Sequence, residues 1–265
     1  MPIPKIIHYC WFGNSELPDT VKKCIDSWIR FCPDYKIMLW NEQNYDVNKI
    51  PYMRDAYKNQ KWAFVSDYAR LDVVFHYGGF YLDTDVELIR SLDDLKEYDI
   101  FLAIERDCNI ASGLGFGAVA KNSTIKTLME LYKDISFVNS DGTLNLKACT
   151  AYVTKWFEER GYEKKDQMQR VGETVILPSE YFCPLDYKTG KMFLTTNTYG
   201  IHWYNESWLS ENDRKIHQKE LEIQKILPSR IALLVCKLYR NSYRFIQYVK
   251  DGTINQQLHK KLMQK

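Results

Sequence analysis

The stretch WAFVSDYARLDVVFHYGGFYLDTDVEL, residues 62–88, constrains the chain more than any other part. Phe64, Tyr68, Leu71, Val74 and Phe75 recur at helical spacing, which predicts a helix ended by Gly78 or Gly79. FYLDTDVEL then predicts a strand with its exit turn. Acids are depleted in strands, yet Asp83, Asp85 and Glu87 alternate here with Thr84 and Val86. Residues two apart on an extended chain point the same way, so Asp83 and Asp85 are expected side by side, where two carboxylates repel. A hard divalent cation resolves that conflict. Mg2+ takes oxygen ligands from one or two carboxylates and completes its shell with phosphates and water. For a bare Asp-x-Asp the alternative is a solvated acidic turn. An EF-hand fits poorly, because the sixth position of its loop requires Gly and is Leu88 here.

The rest of the chain supplies a frame for this stretch. KIIHYCWF (5–12) reads as a buried strand. In PDTVKKCIDSWIRFCP, Val21, Cys24, Ile25, Trp28, Ile29 and Cys32 form one apolar helical stripe stopped by Pro33. YKIMLWN (35–41) reads as a second strand. This β-α-β opening predicts a parallel sheet covered by helices, hence an α/β fold. Residues 44–60 read as loop with a short helix, and DIFLAIE (99–105) as a strand. STIKTLMELYKD and LNLKACTAYVTKWFEERG read as helices, and ETVILPSEYFCP as a short strand running into a loop. Asp67 and Arg70 stand three apart on the helix of the opening stretch, so they share a face. They read either as a surface ion pair or as a polar pair that grips sugar hydroxyls beside the cation.

Charge divides the chain. The net charge of +2 does not itself point to nucleic acid, and none is expected as a partner. From Pro228 to Lys265, however, eight basic residues face Asp251 alone, a net +7 that leaves −5 for the remainder. The segment SRIALLVCKLYRNSYRFIQYVK spaces Ile231, Leu234, Val235, Leu238, Phe245 and Val249 as a helix does, with basic residues between. Basic amphipathic helices lie on anionic bilayers; the alternative is a helix packed on the body of the protein. The expected organisation is a body over residues 1–215 and a basic helical tail over 216–265. The seven cysteines are odd in number and show no C-x-x-C spacing, which fits a reducing cytosol. No signal peptide and no membrane span is apparent. The expected location is the cytoplasm, peripheral to the inner face of the membrane.

The pattern S-D-x-x-R followed by G-G-x-Y-x-D-x-D in AFVSDYARLDVVFHYGGFYLDTDVE resembles the signature of the DXD sugar-transferases, glycosyltransferase family 32. That family includes bacterial capsule and lipopolysaccharide enzymes and yeast initiating mannosyltransferases. The pattern is also similar to the glucosyltransferase domain of large clostridial toxins. IPKIIHYCWFGN, ILPSEYFCP and GIHWYNESW resemble further elements of the family, so the likeness runs from Pro2 to Trp208. It implies a GT-A fold with a central mixed sheet. It also implies a retaining hexosyl- or N-acetylhexosaminyltransferase that takes a nucleotide-sugar, UDP-linked by likeness to the toxins, with Mn2+ or Mg2+. The implied acceptor is a glycan in capsule or surface polysaccharide synthesis, and a basic tail on a membrane would suit a lipid-linked one. A protein acceptor and a non-catalytic sugar-binding module are the alternatives.

The same resemblance implies roles for single residues. Trp11 stacks on the nucleobase, the alternative being a core tryptophan. Asp67 and Arg70 contact donor sugar hydroxyls, and Tyr81 lines the donor pocket. Asp83 touches ribose, sugar or a metal-bound water, and Asp85 is the direct metal ligand. His202 is the third metal ligand, a softer donor that favours Mn2+, or else an ordinary hydrogen-bonded histidine. Ser207 and Trp208 hydrogen-bond the diphosphate, while Ser66 caps or packs the helix. Where the family carries an asparagine before a small-residue strand, Leu114 stands here, and Asn109 is the replacement expected from a shifted loop. Glu87 follows the period without an implied role. No G-x-G-x-x-G and no Walker A sequence is present, which argues against a dinucleotide cofactor and ATP hydrolysis.

Overall fold

The first two apolar runs pair as their pattern implies. In the computed structural model of the chain, which describes residues 2–205, 211–227 and 229–250, β1 (Ile6–Cys10) lies parallel to β2 (Lys36–Trp40), joined by α1 (Asp19–Phe31). Helix α1 buries Val21, Cys24 and Trp28, the stripe read from the sequence. Pro51 occupies the first turn of α2 (Pro51–Lys58), where its missing N–H costs nothing.

Helix α3 (Trp62–Tyr77) is buried on nearly every side, so its polar residues cannot be a solvated face. It ends at Gly78, whose φ of +66° suits glycine and whose N–H donates to the Val74 carbonyl at 2.8 Å.

The run FYLDTDVEL differs from the expected single strand. It forms β3 (Gly79–Tyr81) and β4 (Val86–Leu88), separated by a turn in which the Val86 N–H donates to the Asp83 carbonyl at 3.0 Å. The two strands belong to different sheets. β3 joins the main sheet beside β1, whereas β4 pairs antiparallel with β10 (Gly200–His202). A chain changing sheets cannot stay extended, and the acids occupy the place where it changes.

The main sheet is completed by β5 (Ile100–Ile104), β6 (Ile110–Ala111), β7 (Phe116–Ala118), β8 (Gln169–Val171) and β9 (Thr174–Leu177). Its order is β2-β1-β3-β7-β5-β9-β8, with β6 beside β5. Parallel pairs β2-β1-β3 and β5-β9 flank the antiparallel β7, so the sheet is mixed, as expected. Strand β5 is buried throughout. Ile100, Leu102 and Ile104 face a cluster with α2, α3, α4 (Ser123–Glu130) and α5 (Cys149–Glu158), while Phe101 and Ala103 face a second cluster with α1. Helix α5 starts later than the sequence pattern implies, because Leu144 bridges Val138 and the Asn145 N–H donates to Phe137.

The chain divides into a unit of Met1–Asp186 with Met192–Trp208, and a unit of Tyr187–Lys191 with Leu209–Lys265. The first contains both sheets. The second contains α6 (Glu211–Ile226) and α7 (Ser229–Lys250), so the expected boundary between residues 215 and 216 falls inside α6. Arg240 of α7 meets Glu220 of α6 in a two-bond pair at 2.7 Å each, and Arg244 meets Asp213 at 3.1 Å. Residues 251–265 of the expected tail lie outside the described residues. No helix among the described residues is long and apolar enough to cross a membrane. All seven cysteines are free thiols.

Candidate active site

Ligands of open α/β sheets collect beyond the C-terminal ends of the strands. The turn carrying Asp83 and Asp85 stands there, just past β3. Two contacts from α1 fix the strand that follows: the Trp28 indole donates to the Val86 carbonyl at 2.7 Å, and the Ser27 hydroxyl accepts from the Leu88 N–H at 2.9 Å. The antiparallel register sets His202 opposite Val86. Asp83, Asp85 and His202 thereby offer three ligand atoms within 4.8 Å of one another. The three residues expected to hold a metal converge, although from a turn and a neighbouring strand rather than from one extended face.

Asp83 is held from behind. Arg70 Nη2 lies 3.2 Å from its Oδ1, and the Tyr81 hydroxyl donates to the same oxygen at 3.0 Å. Arg70 also meets Asp67 at 3.3 Å and lies over the Tyr81 ring at 5.2 Å. Further contacts join it to Ser112 Oγ at 3.4 Å and Cys149 Sγ at 3.8 Å. Asp67 is 7% and Arg70 5% exposed, so the pair is not a surface ion pair. Through Arg70 the pair reaches the site at Asp83. Ser66 donates to the Trp62 carbonyl one turn back at 3.1 Å, a packing role.

Asp85 is held from the front. His202 Nε2 lies 3.2 Å from Asp85 Oδ1, the Asn205 N–H donates to Oδ2 at 2.9 Å, and the Trp203 N–H donates to the Asp85 carbonyl at 2.9 Å. Glu87, without an implied role, accepts the Trp203 indole N–H at 2.8 Å and so ties β4 to the segment after β10.

The electrostatics separate the two carboxylates. Burial pushes the Asp83 carboxyl up, with the Asp85 charge adding to it against Arg70 and His202. Asp85 lies below the usual range because the His202 charge and its hydrogen bonds outweigh burial. His202 is raised in turn, burial being outweighed by Asp85. Burial lifts Asp67 to about 6 in spite of Arg70. In contrast, His8 of β1 is a structural histidine. Its Nε2 meets the Gly78 carbonyl at 2.8 Å and its Nδ1 accepts from Trp40, and burial lowers it to about 4.

The donor set fits a divalent cation. Two carboxylates and one imidazole are hard and borderline ligands suited to Mg2+ or Mn2+. Among the described residues the buried Nδ1 of His202 has no hydrogen-bond partner, while Nε2 faces Asp85.

Other expected residues are placed differently. Trp11 follows β1 and is partly exposed, which removes the core-tryptophan reading; its indole donates to the Ser15 carbonyl at 2.8 Å. Asn109 does not join the network: its side chain accepts from Lys164 at 2.9 Å in the loop between β5 and β6. Ser207 and Trp208 lie outside the described residues.

The sequence reading missed Gly113. Its carbonyl accepts the Asp83 N–H at 3.0 Å, and a Cβ on it would stand 2.1 Å from Asp83 Oδ2. Ser112, Cys149 and Asn205 were missed as well. Only the location of Asp83, Asp85 and Arg70 gives them meaning.

Residues 18–102 match the family model described as a glycosyltransferase sugar-binding region containing a DXD motif. In this part the chain is similar to the DXD glycosyltransferases. Over 108 residues it is 36% identical to the mannosyl phosphorylinositol ceramide synthase SUR1 of Saccharomyces cerevisiae, covering 38% of this chain and 27% of that protein. The chain thus spans little more than a quarter of that relative's length. An uncharacterized glycosyltransferase L373 of Acanthamoeba polyphaga mimivirus is 23% identical over 216 residues, covering 78% of this chain and 84% of the other. Among solved structures, a glycosyltransferase involved in glycosylation of the PBCV-1 major capsid covers 82% of this chain and 99% of its own, at 12% identity and a TM-score of 0.46.

Proposed function

We propose that this chain is a metal-dependent, retaining glycosyltransferase that moves a hexose from a nucleotide-diphosphate sugar to a glycan or glycolipid acceptor. The observation that carries the reading is the convergence of Asp83, Asp85 and His202 at the C-terminal end of β3, within a match to a DXD sugar-binding region. A divalent cation held there would neutralise the charge that grows on a departing diphosphate. Asp85 and His202 are the direct ligands. Asp83 is the third, set in place by Arg70 and Tyr81, which act as positioning residues. Trp11 offers a partly exposed ring for the nucleobase, whose stacking contributes about 1–3 kcal/mol in nucleic-acid binders.

Two donors are favoured by different likenesses. The toxin-like motif favours UDP-linked sugars, and the names of the curated relatives favour a mannosyl donor. A lipid-borne acceptor agrees with the name of one relative, inositol phosphoceramide mannosyltransferase 3 of Schizosaccharomyces pombe; a polysaccharide intermediate on a lipid carrier has the same general form. Turnover of UDP-sugars and GDP-mannose with Mn2+, Mg2+ or EDTA tests the reading. The expected result is cation-dependent donor hydrolysis that falls about 1000-fold in Asp85→Asn, with the variant folded. Undiminished hydrolysis in that variant refutes the site. Cation-dependent donor binding with neither hydrolysis nor transfer would leave a sugar-binding module instead.

A further inference from the structure

Helix α7 of the second unit carries an exposed apolar face among the described residues. Along α7, Ala232 and Cys236 are buried and Arg240 pairs with Glu220, which fills the side turned to α6. At 100° per residue, Ile231, Leu234, Leu238, Phe245 and Val249 fall within about 60° of one another on the opposite side. They are 54%, 65%, 59%, 57% and 54% exposed. Lone exposed apolar side chains are ordinary on a protein surface, but five along one side of a helix, broken only by Asn241 and Ser242, mark an interaction face.

We propose that α7 is an interfacial helix that lays this stripe on an anionic lipid surface. Charge selects the partner. Across Ser229–Lys250 there are five basic residues and no acidic one. Arg240 and Arg244 are paired with α6, and Lys237 flanks the stripe, where its stem can lie along the apolar surface while its ammonium meets headgroups. A second copy docking α7 against α7 would set like charges together, since a two-fold contact pairs a surface with itself. An anionic bilayer supplies both what the stripe needs and what the cations need. The helix lies on the surface rather than spanning it, consistent with its interrupted apolar run.

The test uses the full chain and sedimentation with phosphatidylcholine vesicles, with and without a third of phosphatidylglycerol, at low and high salt. The expected result is binding to the anionic vesicles only, weakened about tenfold at high salt by screening of the basic residues. It should be lost in the triple variant Leu234→Glu, Leu238→Glu, Phe245→Glu. These side chains are exposed, so the fold is expected to survive, as checked by circular dichroism. Donor hydrolysis in solution should stay unchanged in that variant, which separates this face from the DXD site. No binding to anionic vesicles at low salt overturns the proposal, as does undiminished binding by the triple variant. A wild-type dimer that the variant converts to monomer, with neither form binding vesicles, assigns the stripe to a second copy and overturns it too.

Discussion

At the scale of the residue, the site depends on how Asp83 is held. A methyl group at Gly113 would occupy the position of its carboxylate. Gly113→Ala is therefore expected to weaken Mn2+ binding about 10–100-fold, in line with the loss of other partners behind a metal ligand. Titration calorimetry checks this, and an unchanged affinity would contradict the grip on Asp83. Asp67 gives a pH signature. Its folded value of about 6 lies above the ordinary 3.8, so its proton is held more tightly in the folded state. That stabilisation is complete below about pH 4 and is lost as pH rises through 6. Asp67→Asn keeps a neutral side chain, and denaturant unfolding in EDTA should show a flatter pH slope across this window, a difference on the order of 1–3 kcal/mol. Asp83, Asp85 and Arg70 stood out in the sequence because they belong to spaced motifs, whereas His202 was pointed to by the resemblance alone. Gly113 and Ser112 were not, because their roles are defined by a side chain that approaches them across the fold.

At the scale of the element, the decisive event is the passage from β3 to β4. Alternation of Asp83, Asp85 and Glu87 suggested one strand, and the helix and strand on either side were placed correctly by their periodicity. The turn was not legible, because it follows from pairing of β4 with β10, more than a hundred residues later in the chain. Periodicity reports which way side chains point along a strand, not where the strand leaves its sheet. Helix α1 fixes the far end of the turn through Trp28. Trp28→Phe keeps most of the packing but leaves the buried Val86 carbonyl without its donor, at a cost of about 1–3 kcal/mol. Urea unfolding should show that loss, together with weaker Mn2+ binding. A change in stability without a change in metal affinity would mean that α1 supports β4 but not the site.

At the scale of the whole molecule, composition and the β-α-β opening were sufficient for an α/β fold, while the mixed sheet depended on long-range pairings that only the resemblance anticipated. Charge asymmetry suggested a body and a basic helical part; the position chosen for their boundary lies within α6. With all seven cysteines free, the melting temperature should be the same with and without reductant. Mn2+ alone at about 100 times its dissociation constant should stabilise the folded protein by about 2.7 kcal/mol, a rise on the order of 5–10 °C. The most direct test of the metal centre is electron paramagnetic resonance of Mn2+ titrated into the full chain with and without UDP. One Mn2+ bound per chain, tightened by UDP and lost in folded Asp85→Asn, is the expected outcome. Mn2+ binding that persists in Asp85→Asn, or none in the wild-type chain even with UDP, would contradict a cation held by Asp83, Asp85 and His202.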